Sequence, residues 1–355
     1  MTVPVVDPFG VSGDSEMPFL AQATDPADVE RRVGRLVAGT LRGGSNAGES
    51  DVRLIAIRVV RHKPGRRCLI EYDFEMGRAN GAPETLTAVG KTRSRGSPKE
   101  ANGLLALLRA RGFAEDADDA ICVPEPIGVV GEYRMSLQRK APGIPASSLF
   151  GKSGDVELAY AVAEAACKLH RAAVLPRRPH SMADEIAILR SKLGELAETR
   201  PQWAPRLARL LEECERLGAR VPTPIPRGIH RDFYADQVIV DGPRLFLVDF
   251  DLFCQGDPAL DAGNFLGHLS EQSLRLFGDP AALSECEGAF EERFVELSGP
   301  SIRPAVRGYA ALTIARHVYL STRFEERRSF TEPLLELAEE RLGVGARTGK
   351  RMGVS

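Results

Sequence analysis

The chain has 355 residues, with 47 basic and 49 acidic side chains for a net charge of −2, and is 43% hydrophobic and 27% charged. This length allows two domains or one large bilobal one, and the composition excludes a disordered chain, a collagen-like repeat and a coiled-coil rod. Balanced charge gives no global field for nucleic acid or anionic lipid, and no apolar run reaches the roughly 18–20 residues of a membrane span.

Residues 1–25 are rich in Pro, Gly and Asp without periodicity and read as a loose leader. They have neither the cationic start nor the apolar stretch of a secretory signal. Helical spacing of Val29, Val33, Leu36 and Val37 predicts a helix over 28–41, followed by a Gly-rich link at 43–48. Strands are expected at 53–61, 68–74 and 85–92, with turns at 62–67 and 77–83. Leu104, Leu105 and Leu108 stripe a helix over 99–111, and two short strands at 127–130 and 133–138 end at the breaker Ala141-Pro142-Gly143. Beyond 150 the pattern becomes helical: 156–173, 182–198, 205–217, 258–269, 281–297, 304–322 and 332–342. Strands at 238–240 and 245–250 interrupt it, joined by Asp241-Gly242-Pro243. Residues 343–355 form a Gly-rich basic tail. The expected division is a leader and helix (1–50), a β-rich lobe (51–141), a helical lobe (142–345) and a tail (346–355). Six cysteines, Cys68, Cys122, Cys167, Cys214, Cys254 and Cys286, occur singly with no C-x-x-C pair, as expected for reduced thiols of a cytoplasmic protein.

The segment His230-Arg231-Asp232-Phe233-Tyr234-Ala235-Asp236-Gln237 runs into an apolar strand and returns on Leu245-Phe246-Leu247-Val248-Asp249-Phe250-Asp251. Gln237 follows Asp232 by five positions, and Asp249 follows Asp232 by seventeen. A short two-stranded turn would bring all three to one edge, where oxygen ligands and a spare carboxylate suit a hard cation plus a base.

H-R-D-x-x-x-x-Q, an apolar strand and D-F-D resemble the catalytic and metal loops of kinase-like phosphotransferases. Gly256-Asp257-Pro258-Ala259-Leu260-Asp261 follows Asp249 too closely to leave room for a protein-kinase activation loop. With this turn the chain is similar, over about residues 53–325, to the aminoglycoside phosphotransferase and choline kinase-like superfamily. The resemblance implies an α+β, protein-kinase-like bilobal fold, with a small antiparallel β N-lobe and a larger, mostly helical C-lobe. It implies an ATP- and Mg2+-dependent phosphotransferase acting on a hydroxyl of a small molecule. Asp232 would be the catalytic base, with Asp249 and Gln237 as metal ligands. Lys91 would hold the α/β phosphates, paired with Glu100. Gln138, Arg139 and Lys140 would form the hinge whose backbone meets adenine. There are three departures: Gln237 stands where the family usually has Asn, Arg231 where it more often has Gly, and no G-x-G-x-x-G precedes Lys91. The turn at 62–67, with Lys63, Gly65, Arg66 and Arg67, is the expected phosphate cover. The unusual phosphate loop and Gln237 favour an alternative reading, a kinase-like pseudoenzyme serving as a nucleotide-binding or interaction module.

Other polar residues have plainer roles. Asp257-Pro258 reads as a helix cap and first turn, Asp261 as ordering the same loop, and His230 as fixing the catalytic loop. His170 packs beneath it, and Asp236 and Asp251 read as solvated acids beside the site. Arg58, Arg61, Lys63, Arg66 and Arg67 form one charged turn without interleaved aromatics, so no nucleic-acid partner is expected. Residues 255–345 hold 15 acidic and 9 basic side chains, read as solvated helix faces.

Overall fold

The computed structural model describes residues 2–41, 52–77 and 84–344. The expected link at 43–48, most of the turn at 77–83 and nearly all of the tail lie outside the described residues. The chain forms two compact units, Met1–Pro142 and Gly143–Ser355.

The first unit is built on a six-stranded sheet. β2 (Val52–Lys63), β3 (Arg67–Met76) and β4 (Glu84–Arg93) form an antiparallel meander, extended by β7 (Met135–Arg139) and β6 (Pro126–Val130). β5 (Ile121–Cys122) is a short buried strand. Period-two alternation sends Ile57, Val59, Ile70, Tyr72, Phe74, Leu86 and Ala88 to a buried face. What covers this face corrects the expectation of a loose leader. β1 (Val5–Val6) pairs in parallel with β2, and Val11, Met17, Leu20 and Ala23 are fully buried against the sheet. The apolar residues of this segment are isolated among Pro, Gly and Asp, so they show no period, yet each lands in the core. α1 (Leu20–Ala23), α2 (Pro26–Val29) and α3 (Arg35–Leu41) follow, with one wide helical turn over 30–34 joining the last two. α4 (Pro98–Leu108) begins on the Ser97 hydroxyl, which accepts from the Glu100 N–H at 3.4 Å.

The second unit is mostly helical: α5 (Asp155–Arg171), α6 (Met182–Thr199), α7 (Ala204–Gly218), α8 (Pro258–Phe277), α9 (Ser284–Ser298), α10 (Arg303–Ser321) and α11 (Thr331–Leu342). Its β-structure positions the site. β8 (Ile144–Pro145), β10 (Val238–Asp241) and β11 (Arg244–Leu247) lie side by side, and β9 (Arg227–Ile229) pairs with β12 (Cys254–Gly256). The β9–β12 pair is three residues a side, too short to leave a pattern. α8 runs eight residues beyond its predicted end because the polar run Ser270-Glu271-Gln272-Ser273 is buried and hydrogen-bonded; it stops at Gly278, which takes φ 71°. α8 and α10 touch through glycine: a Cβ on Gly263 would collide with Tyr309, and one on Gly267 would stand 2.7 Å from the Cβ of Thr313. No helix among the described residues is long and apolar enough to cross a membrane.

Candidate active site

The loop after β9 is held by one acid. Asp261, in the first turn of α8 and fully buried, accepts from the N–H groups of His230 at 2.8 Å and Arg231 at 2.6 Å, and meets His170 Nε2 at 2.9 Å. His230 Nε2 donates to the Val248 carbonyl at 2.8 Å, tying the loop to the end of β11. Asn264, one turn along α8, donates to the Arg231 carbonyl at 2.7 Å. Its own carbonyl is fixed by Thr313 at 2.7 Å and Arg316 at 2.9 Å, both on α10. The close glycine-mediated approach of α8 to α10 makes this bracing possible.

Bracing is needed because Arg231 has φ 70°, in the left-handed region that favours glycine. A side chain there costs roughly 1–2 kcal/mol. The Ser181 hydroxyl and N–H hold the Asp184 carboxyl of α6 below its usual range, with a smaller contribution from the Arg231 guanidinium, which also helps lower Glu185. For Glu185, burial pushes the pKa up, but the His180 hydrogen bond at 2.6 Å and the positive charges of Arg316 and Arg231 outweigh it. The arginine found where the resemblance led one to expect glycine therefore faces acids of its own unit.

After Asp232, half-buried, the loop turns through Ala235–Gln237, with the Gln237 N–H on the Tyr234 carbonyl at 2.9 Å. Val238 lies opposite Leu247, and the Val248 N–H donates to the Gln237 carbonyl at 3.0 Å. Asp249 therefore emerges beside Gln237. It adopts φ 64°, ψ 56°, which ends the strand at Leu247, short of the predicted Phe250. Asp tolerates this conformation because its short polar side chain can hydrogen-bond locally.

Tyr234, which no sequence pattern singled out, lies on the same loop. Burial pushes its phenol up to about 12, helped by the charges of Asp232, Asp236 and Asp249, and opposed by the Gln237 side-chain amide, which hydrogen-bonds the hydroxyl. The ring stacks on His268 (centroids 4.4 Å, 14° between planes), whose own ring meets His317 edge-on. Asp236 accepts from the Ser147 hydroxyl.

Among the described residues, no three His, Cys, Asp or Glu side chains form a group that could hold a metal ion. A Mg2+ fits this donor chemistry only as a shared ion, since Mg2+ is commonly held by one or two carboxylates together with substrate phosphates and water. Asp249 and the Gln237 amide oxygen are the donors that the sequence predicts.

A family model for the phosphotransferase enzyme family matches residues 88–295, more than half of the chain. The chain belongs to that family. No curated protein matches its sequence. Among solved structures it is similar to the apo form of a thermostable mutant of aminoglycoside phosphotransferase APH(4)-Ia, at 16% identity and a TM-score of 0.51, covering 89% of this chain and 99% of that one. A choline/ethanolamine kinase family protein from Mesorhizobium loti gives 12% identity and a TM-score of 0.55, covering 90% and 96%. A ternary complex of the thermostable APH(4)-Ia with ADP and hygromycin B gives 16% and 0.53, covering 87% and 99%. At these identities the likeness shows the fold, an α+β, protein-kinase-like one.

In this phosphotransferase-family chain the remaining predicted residues all lie in the first unit. Lys91 is half-buried near the end of β4, opposite Leu69 of β3 and Ser136 of β7, and Glu100 is in the exposed first turn of α4. The turn between β2 and β3 departs from expectation. The Gly65 N–H donates to Asp14 at 2.8 Å, His62 Nε2 meets the same carboxylate at 2.8 Å, and Glu16 crowds Gly65. The Gly65 amide, in the turn expected to cover the phosphates, is therefore engaged by the N-terminal segment. Lys63, Arg66 and Arg67 still carry charge there. Burial, then the charges of Arg67, Arg61 and Arg66, lowers the Lys63 pKa. At the expected hinge, the Arg139 N–H donates to the Glu125 carbonyl at 2.8 Å and the Lys140 N–H to the Thr87 carbonyl at 2.9 Å. Those two amides are not available to a base. Lys140 pairs with Glu71 at 2.7 Å and Arg139 with Glu84 and Glu125 at 3.8 and 3.9 Å. Gln138 lies on β7 opposite Val89.

Proposed function

We propose that this phosphotransferase-family protein moves the γ-phosphate of ATP, with Mg2+, to a hydroxyl of a small molecule: an amino sugar, an amino alcohol or another sugar. The observation that carries the reading is the loop bearing Asp232 and Gln237, braced by Asp261 and Asn264 and joined to the residue before Asp249 by the hydrogen bond from the Val248 N–H to the Gln237 carbonyl. Solved neighbours described as complexes with ADP or AMP-PNP and hygromycin B support a nucleotide donor and a small hydroxylated acceptor.

Phosphoryl transfer needs little covalent help, so the chain's residues position reactants and balance charge. Asp232 receives the proton of the acceptor hydroxyl, an effect of roughly 10²–10⁴ in rate. Asp249 and the Gln237 amide oxygen hold Mg2+, which when bound neutralises charge on the phosphate oxygens. Lys91, kept in place by Glu100, supplies the charge for the α/β phosphates, and Lys63 and Arg66 cover them. The stretch Gln138 to Lys140 meets adenine through groups other than its two engaged amides. Single reduced cysteines accord with a cytoplasmic location.

An ATP-consumption screen across aminoglycosides, amino alcohols and sugars tests the reading. Asp232→Asn and Asp249→Asn are each expected to lower turnover on the active acceptor by at least about 10³-fold with melting temperatures close to the parent. Near-full turnover in either would overturn the roles. The occupied Gly65 amide and Gln237 favour the alternative of a nucleotide-binding module without catalysis. That alternative gives thermal stabilisation by ATP, no greater with Mg2+ than without, and no consumption with any acceptor.

A further inference from the structure

Asp261 takes the N–H groups of His230 and Arg231, but the peptide that leads from Arg231 into Asp232 is held differently. Its carbonyl, that of Arg231, accepts from the Asn264 side-chain amide at 2.7 Å. A side-chain amide can present either its NH2 or its oxygen. With the oxygen turned to the Arg231 carbonyl, two acceptors would meet and the peptide would have to rotate away. Asn264 is 1% exposed, so the groups packed around it decide its orientation. The Thr313 hydroxyl, 2.7 Å from Asn264 Oδ1, does not decide it, because a hydroxyl both donates and accepts. Arg316 does: a guanidinium only donates, and its Nη2 stands 2.9 Å from the same oxygen.

We infer that Arg316 of α10 is a positioning residue for Asp232: it fixes which way Asn264 faces and, through Asn264, the peptide that carries Asp232. The inference rests on the phosphotransferase reading, in which Asp232 is the base. The other arm of Arg316 is anchored. Its Nη1 meets Glu185 Oε2 at 3.2 Å, and Glu185 Oε1 meets His180 Nε2 at 2.6 Å. His180 stands just before the Ser181 cap of α6, and its N–H donates at 2.8 Å to the Gln255 carbonyl of β12, the strand that follows the Asp249 turn. Hydrogen bonds thus run from β12 through α6, α10 and α8 to the catalytic loop. Packing alone does not call for them. Glu185 is 5% exposed, and a buried ion pair is often no more stable than apolar side chains of similar volume. What the pair supplies is geometry, since the planar fork of an arginine can tie together two acceptors on different helices. A second α6–α10 contact, the Tyr319 hydroxyl on Glu195 at 2.8 Å, joins the same helices through other residues.

The test compares Arg316→Gln, Arg316→Lys and Tyr319→Phe with the parent, by amide hydrogen exchange on the full chain without nucleotide and by kcat and KM on the active acceptor. Gln can offer Asn264 either end of its amide. Exchange at residues 231–233 should therefore rise at least about fivefold in Arg316→Gln. Its kcat should fall at least about tenfold at nearly unchanged KM for ATP. Lys, still only a donor, should bring both quantities back to within about threefold of the parent. Tyr319→Phe, which loosens the same helix pair elsewhere, should change neither. Parent-like exchange in Arg316→Gln, equal losses in Arg316→Lys and Arg316→Gln, or the same change in Tyr319→Phe would each overturn the inference. If the parent consumes no ATP with any acceptor, the phosphotransferase reading falls, and the exchange comparison still decides whether Arg316 holds the loop. Should Arg316→Gln not fold, because Glu185 is left buried without its cation, the double variant Glu185→Gln/Arg316→Gln removes both charges and is read in its place.

Discussion

Asp261 shows how much of the site rests on a residue that never touches the reacting groups. It is a fully buried carboxylate serving two backbone N–H groups and one imidazole. Asp261→Asn keeps the shape but removes the charge and turns one acceptor into a donor aimed at donors. Hydrogen bonds to charged groups are worth about 1.5–3 kcal/mol each. The variant is therefore expected to lose about 2–3 kcal/mol of stability in urea unfolding. It should also lose turnover at least about tenfold in kcat at nearly unchanged KM, because the loop carrying Asp232 loosens. Equal turnover in the two proteins would show that the loop holds its place without Asp261. The candidates Asp232, Gln237 and Asp249 could be picked from the sequence because one short loop and hairpin carry them at set spacings. Tyr234, Asn264 and Arg316 could not. Asn264 and Arg316 reach the loop from α8 and α10, and the importance of Tyr234 comes from what surrounds its hydroxyl.

At the scale of elements, the N-terminal segment differs most from its reading. A chain without hydrophobic period can still fill a core when each isolated apolar side chain meets the same sheet face. Met17 is fully buried there, and its neighbour Asp14 accepts from Glu16, Met17 and Gly65 N–H groups as well as meeting His62. The Gly65 hydrogen bond leads the causes that lower the Asp14 pKa. Met17→Ala is accordingly expected to cost about 2–4 kcal/mol, the range for emptying a buried methionine site. A loose leader would give no change, so the urea midpoint of this one variant separates the two pictures. Strand periods and helical stripes elsewhere were readable. Their ends moved where local backbone intervened: Asp249 stopped β11 early, and buried, hydrogen-bonded polar residues carried α8 past its apolar stripe.

At the scale of the whole molecule, buried histidines set the response to acid. Burial first, then the charges of Arg316, Arg327 and Arg275, depresses His317 to about 3; His268, flanked by the same arginines and by His317, is pushed well below its usual value. Between about pH 3 and 6.5 the unfolded chain binds protons at these residues that the folded chain does not, so stability rises with pH across that window and is complete above it. Going from pH 7 to 5 should cost about 2 kcal/mol for His317 alone. Glu185, with its lowered pKa, keeps its contribution above its unfolded value near 4.5 and loses it only in stronger acid, below this interval. Urea unfolding at pH 7 and 5 of the parent and His317→Phe checks this; the variant should lose about 2 kcal/mol less, and an identical loss would show that His317 is not buried neutral.

Local order along the chain was enough to indicate an α+β architecture, the run of strands before helices, and the loop whose spacing carries an acid, an amide and a second acid. Those features depend on neighbours a few positions apart, and periodicity and motif spacing record such neighbours. The burial of the N-terminal segment, the engagement of the Gly65 and hinge amides, and the left-handed Arg231 and its bracing by Asp261 and Asn264 arose only in three dimensions. Each depends on groups tens of residues apart being brought within hydrogen-bond or van der Waals reach, and no local pattern in the chain encodes that distance.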